Sequence, residues 1–116
     1  MRAFLYAFRG IGKAVKSGRN FRIMLVCFVL VVAAGFIFGI SGWEWIAVLL
    51  SSGSVLALEM INTALESLTD LATAQHHPLA EKAKDIAAGA VLVLSLAALA
   101  VGLIIFLPYA VRLFTT

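Results

Sequence analysis

Charged residues are confined to a few short stretches of this chain, and the intervals between them are almost wholly apolar. Ile23 to Ile40 holds 18 residues without a charge, close to the shortest length that crosses a hydrocarbon core of about 30 Å. A second run extends from Trp45 to about Leu68, and a third, Ile86 to Leu107, holds 22 residues without a charge and ends at Pro108. The pattern predicts membrane-spanning helices over about 23–40, 45–68 and 86–107. Before the first of them, Phe4, Phe8, Ile11 and Val15 recur at helical spacing, with Arg2, Arg9, Lys13 and Lys16 on the opposite side. Residues 1–20 are therefore expected to form an amphipathic surface helix lying in the interface, with Gly10, Gly12 and Gly18 making it irregular.

The connections carry their own signals. Ser41-Gly42-Trp43-Glu44-Trp45 is a turn flanked by two tryptophans, which favour the headgroup level. Ser51-Ser52-Gly53-Ser54 places small residues within the second span, where they let helices approach closely. Gln75-His76-His77-Pro78 breaks the second helix, and Ala80 to Asp85 begins another. The fold class is thus an all-α membrane protein, one domain over residues 1–116.

Composition agrees. The chain of 116 residues is 63% hydrophobic and 13% charged, about half the charge of a soluble domain. Cys27 lies within an apolar run and reads as a packing residue; a single cysteine excludes an intrachain disulfide. Residues 1–22 hold Arg2, Arg9, Lys13, Lys16, Arg19 and Arg22 and no acid, a distribution that points to the cytoplasmic membrane surface and away from nucleic acid. The basic stretch is too long for a cleaved signal peptide, so the N-terminus reads as mature protein. Six basic residues precede the first span, none lies in the 41–45 loop, two lie in the 70–85 loop and one in the tail. The positive-inside rule puts the N-terminus and the 70–85 loop in the cytoplasm.

One polar pattern does not fit a plain span. Glu59, Asn62, Glu66 and Asp70 lie at offsets of 0, 3, 7 and 11, which places them within about 80° of one helix face. Carboxylates within a membrane are costly, so this stripe must face protein, water or cations. An interhelical hydrogen-bond seam is the simpler reading, though it leaves most of the stripe unexplained. Lys84 and Asp85 open the third span on the same side. Alone they are a snorkelling lysine and a helix-start carboxylate. Together the groups suit phosphoryl transfer: carboxylates approach ATP through Mg²⁺, lysine offsets phosphate charge, and a carboxylate can act as general base on a lipid hydroxyl. No Gly-rich Walker loop is present.

Glu59-Met-Ile-Asn62-Thr63-Ala64-Leu65-Glu66, followed by Ala83-Lys84-Asp85-Ile86-Ala87-Ala88-Gly89-Ala90-Val91, resembles the signature of the prokaryotic diacylglycerol kinase family. His77-Pro78-Leu79-Ala80 makes the undecaprenol kinase branch the nearer likeness, and the resemblance runs from Tyr6 to Pro108. It implies an ATP- and Mg²⁺-dependent kinase of a membrane lipid alcohol, undecaprenol or diacylglycerol, in the bacterial inner membrane. It also implies a homotrimer with active sites between subunits at the cytoplasmic face. By the same resemblance Glu59 is the general base and Glu66 holds Mg²⁺ and ATP phosphates, supported by Asn62 and Asp70. Lys84, Asp85, Tyr6, Gln75 and His77 would contact the nucleotide, with His77 equally readable as an ordinary loop residue. The sequence departs from the pattern at Gly18, where family members carry a metal-binding glutamate, and at Met24, where the undecaprenol branch often has histidine. Two other classes compete: a proton-coupled transporter, which uses the carboxylates but not Lys84 and Asp85, and a catalytically impaired homologue serving as a scaffold, suggested by Gly18.

Overall fold

The computed structural model describes residues 2–115, and these form four helices: α1 (Arg2–Ser17), α2 (Arg19–Phe38), α3 (Gly42–Ala72) and α4 (Pro78–Thr115). Three of them, α2, α3 and α4, are long and apolar enough to cross a membrane. The 20 residues of α2 rise about 30 Å, one hydrocarbon thickness. With 31 and 38 residues, α3 and α4 are longer than a span needs. Much of their surplus is polar: residues 66–72 end α3 and residues 78–85 begin α4, so both project a water-facing stub at the same end of the bundle.

Each junction has a local cause. Gly18 leaves the helical region at φ −121°, ψ 114°, so the chain bends between α1 and α2. There the Arg22 guanidinium donates to the carbonyls of Val15 at 2.8 Å and Lys16 at 3.3 Å, satisfying acceptors that the end of α1 would otherwise leave orphaned. At the other end of α2, Gly39 sits at φ 63°, ψ 52°, a left-handed closure that glycine adopts without steric cost. Ser41 then starts α3 with a reciprocal capping box: its hydroxyl accepts from the Glu44 N–H at 3.3 Å, while the Glu44 carboxylate accepts from the Ser41 N–H at 2.9 Å.

Packing is densest at this far end. Ile40, Val48 and Ile105 are buried there, with Trp45, Phe38, Phe106 and Tyr109 around them. The Tyr109 hydroxyl donates to the Glu44 carboxylate and so ties α4 to the start of α3. Across the rest of the bundle many large apolar side chains, among them Leu50, Ile61, Leu96 and Ile104, are exposed, the expected state of a surface solvated by lipid.

Three sequence expectations differ in detail. Gly10 and Gly12 do not interrupt α1, which is continuous. Pro108 does not end the last helix but lies inside α4, which continues to Thr115. Proline removes one backbone donor and leaves the Ile104 carbonyl without its helix partner, a loss that transmembrane helices accommodate by local adjustment. Pro78 stands at the first position of α4 rather than before it, where a missing N–H costs nothing.

The Trp45 indole lies across the backbone of Gly35: a Cβ added there would stand 2.6 Å from Cη2 and 2.8 Å from Cζ2. The ring is also held by Phe36, 4.9 Å away between centroids. Gly35→Ala should therefore force the indole out of the α2–α3 seam and destabilise the chain by about 1–3 kcal/mol. Thermal unfolding in detergent would show a lowered Tm; an unchanged Tm would mean the seam does not hold these helices together.

Candidate functional site

The polar stripe of α3 runs from inside the span to its water-facing end. Glu59 and Asn62 are both 6% exposed, the only buried polar or charged side chains among the described residues. From Trp45 at the far headgroup level, Glu59 is 14 residues along the helix, about 21 Å of rise. It thus lies below the hydrocarbon surface on the side of the α3–α4 turn. One turn on, the Asn62 amide donates from Nδ2 to Glu66 Oε1 at 2.9 Å. Its other atom, Oδ1, is buried with no protein partner, an orphaned acceptor in a setting where such groups are costly. Glu66 and Asp70 emerge into the open.

At the end of the stripe the chain turns back and encloses a cavity of about 360 Å³. Five of the residues expected at a site, Asp70, Gln75, His77, Lys84 and Asp85, line it together with Thr69, Thr73, His76 and Glu81. The Lys84 ammonium donates to Asp70 Oδ1 at 2.5 Å, bridging α3 and α4. His76 Nε2 lies 3.2 Å from Glu81 Oε2. Thr73 Oγ1 donates to the Gln75 carbonyl at 2.9 Å, and His77 Nδ1 accepts from the Leu79 N–H at 3.1 Å. His77 therefore has a structural task, capping the start of α4.

Glu59, Asn62 and Glu66 are not part of this cavity; they lead into it from within the span. Along α3, Glu59 and Asp70 are separated by about 16 Å, so the arrangement is a track with a deep carboxylate at one end and a polar chamber at the other. Tyr6 does not line the chamber: it is 61% exposed on α1. The sequence reading, which expected the Gln75–His77 segment at the site, passed over Thr69, Thr73 and Glu81. The signal was available for Glu81, whose five-residue spacing from His76 spans Pro78 and lets a loop side chain reach the first turn of α4.

Among the described residues no three His, Cys, Asp or Glu side chains converge as a metal cage. Mg²⁺ asks for less: one or two carboxylates, with water and substrate phosphates completing the shell. The exposed Glu66 carboxylate beside the unpartnered Asn62 Oδ1 is a hard-oxygen donor set of that kind. At Gly18 a Cβ would meet the Ala14 carbonyl at 3.4 Å and Phe21 Cβ at 3.5 Å, ordinary contacts, so the backbone there could carry a side chain.

The sequence profile described as prokaryotic diacylglycerol kinase matches residues 5–106. The chain belongs to the prokaryotic diacylglycerol kinase family. As a member it is a lipid kinase of the bacterial membrane, and ATP is its phosphoryl donor. Among similar proteins is the undecaprenol kinase of Bacillus subtilis, 42% identical over 107 residues that cover 92% of this chain and 87% of that one. A diacylglycerol kinase of Synechocystis is also 42% identical over 107 residues, covering 91% of this chain but 61% of that longer protein. The diacylglycerol kinase of Pseudomonas aeruginosa is 28% identical over 85 residues, 73% of this chain and 69% of its own length. Membership in this kinase family favours neither the transporter nor the scaffold.

The Asp70–Lys84 bridge is exposed, its side chains 68% and 39% accessible, and exposed ion pairs contribute about 0–1 kcal/mol. Lys84→Met should therefore leave the unfolding midpoint nearly unchanged while lowering kinase turnover more than tenfold. A large drop in Tm with turnover preserved would assign Lys84 to the fold rather than to the site.

Proposed function

We propose that this kinase transfers the γ-phosphoryl group of Mg²⁺-bound ATP to the hydroxyl of a membrane lipid alcohol, undecaprenol or diacylglycerol, at the cytoplasmic face. The observation that carries the reading is the polar track itself: a carboxylate within the span, on the same helix face as the residues that open into a polar chamber. A lipid alcohol arrives from the bilayer and a nucleotide from water, so the two substrates need a site open to both.

Glu59 accepts the proton of the lipid hydroxyl as that oxygen attacks the γ-phosphorus. The new O–P bond forms, the bond from γ-phosphorus to the β-bridging oxygen breaks, and ADP leaves with the electron pair. Glu66, with Asn62 beside it, would hold Mg²⁺, which supplies charge neutralisation for the phosphates when bound. Lys84 adds positive charge at the rim, and Asp70 and Asp85 orient it and the nucleotide. Tyr6, Gln75 and His77 would contact the nucleotide base or sugar.

The basic residues before α2 and in the α3–α4 connection support a cytoplasmic position for both, in the inner membrane. A homotrimer would bury part of the apolar faces that one chain leaves exposed on α3 and α4. Between the two alcohols, coverage of the relatives favours undecaprenol, since the chain spans most of the Bacillus undecaprenol kinase and less of the Synechocystis protein.

Phosphate transfer from labelled MgATP in mixed micelles, with undecaprenol and diacylglycerol offered in parallel, tests this. Glu59→Gln should lower transfer by at least about a hundredfold, the loss expected for a general base, with thermal stability retained. Full activity in that variant would remove Glu59 from its role, and no transfer by the folded native chain to either alcohol would overturn the reading.

A further inference from the structure

Among the described residues α2 and α4 each pack on α3 and scarcely on each other, which leaves a cleft of about 340 Å³ between them with α3 as its floor. Cys27 and Phe28 of α2 and Ser95 and Leu99 of α4 form its walls, and Ser52 and Val55 of α3 lie beneath. The floor continues the line of the polar stripe. At 100° per residue Ser52 and Val55 stand about 20° and 40° to either side of Glu59, and roughly 10 Å and 6 Å deeper in the span. An apolar groove therefore runs from near Glu59 towards the far end, as the stripe runs from it towards the chamber.

One wall carries an unspent polar group. Ser51, Ser54, Thr63 and Ser67 on α3 each donate their hydroxyl to a carbonyl one turn back, a common way for a helix to satisfy a hydroxyl. Ser95 does not: its Oγ is buried and has no hydrogen-bond partner, a costly state in a span. Its depth follows from the pairing of α3 with α4. Lys84 meets Asp70 near one end, and eleven residues from that bridge bring α3 to Glu59 and α4 to Ser95. Tyr109 meets Glu44 at the other end; from there fifteen residues along α3 and fourteen along α4 lead to the same two positions. Two antiparallel helices with the same rise per residue thus hold Ser95 and Glu59 level.

A buried hydroxyl without a partner, level with a carboxylate and opening on an apolar cleft, suits a hydrocarbon tail that ends in an alcohol. We infer that the cleft receives the tail of the lipid substrate and that the Ser95 hydroxyl donates to the substrate's oxygen, which turns the substrate's own O–H towards Glu59. That oxygen keeps a second lone pair for the γ-phosphorus, so the transfer itself is unchanged. The role of Glu59 rests on the proposed function; the seat for the tail does not. The cleft also chooses between the alcohols. Diacylglycerol carries its ester carbonyls within a few bonds of the hydroxyl, whereas the other hydroxyl in the cleft, Ser52, lies roughly 10 Å deeper. A polyprenol has no polar atom beyond its hydroxyl and leaves nothing buried without a partner.

A polyprenol carrying a photoactivated diazirine in its tail tests the seat directly, with the full chain in mixed micelles. Irradiation should label residues 24–31 and 95–99, and undecaprenol should suppress that labelling at concentrations at which diacylglycerol does not. Ser95→Ala, which removes only the hydroxyl, should raise KM for undecaprenol by about threefold to tenfold, the worth of one hydrogen bond. KM for MgATP and the unfolding midpoint should stay at their native values, and Ser95→Thr, which keeps a hydroxyl on Cβ, should restore most of the lipid KM. An unchanged lipid KM in Ser95→Ala, or a rise in both KM values together, would remove Ser95 from the substrate. Label confined to α1 or to other faces of the spans, as when a second copy of the chain fills the cleft, would overturn the seat. Equal suppression by diacylglycerol would overturn the choice between the alcohols. Label in the cleft of a chain that transfers no phosphate would uphold the seat while sinking the kinase reading, which keeps the two failures apart.

Discussion

A carboxylate held below the membrane surface constrains everything else in this molecule. Glu59 and its neighbour Asn62 are buried on a helix long and apolar enough to cross a membrane, and hydrocarbon offers no hydrogen bonds to either. The rest of the stripe is therefore not optional. Asn62 gives one amide hydrogen to Glu66, Glu66 reaches the open, and the Asp70–Lys84 bridge closes the far end of the track. Polar groups within a span have to lead somewhere, and here they lead toward the polar chamber at the α3–α4 turn.

The bundle divides its labour along the same axis. At the far end the Ser41–Glu44 capping box, the Tyr109 hydroxyl on Glu44, and the Trp45 ring on Gly35 fasten α2, α3 and α4 together. At the end that holds the α3–α4 turn the contacts are polar and mostly exposed: two ion pairs and the Thr73 and His77 turn bonds. Segments with few buried apolar contacts are the ones that open at low cost. A kinase that admits a lipid from one side and a nucleotide from the other needs its compliance at that end, and its fastening at the opposite one.

How much of this was legible in the sequence depended on whether the cause was local. The spans show as intervals without charge, and the stripe shows because helical phase converts offsets of 0, 3, 7 and 11 into a single face. The gathering of Asp70, Gln75, His77, Lys84 and Asp85 around one chamber follows from two helix ends joined by a short turn. Long-range contacts left no such trace. Tyr109 meets Glu44 across 65 residues, and nothing in the pattern around either names the other. The approach of Trp45 to Gly35 is equally silent, since glycine in an apolar run has several possible uses. Pro108 misled for a different reason: its local effect is real, but a membrane helix has means to absorb it.

The α1–α2 bend joins these observations into one argument about Gly18. A residue in extended conformation there lets α1 leave the direction of α2, and Arg22 then locks the bend by bonding the last carbonyls of α1. The family resemblance led the sequence reading to expect a glutamate at this position, and the backbone has room for a side chain. Glycine is thus not demanded by the geometry, whose φ of −121° any residue adopts. The bend depends on the Arg22 clamp rather than on Gly18. Glycine in place of the expected glutamate leaves no negative charge at the junction, beside Arg19 and Arg22. With glycine there, the charged residues among the first 22 are all cationic, and the junction carries no carboxylate that could draw Arg22 away from the carbonyls it holds.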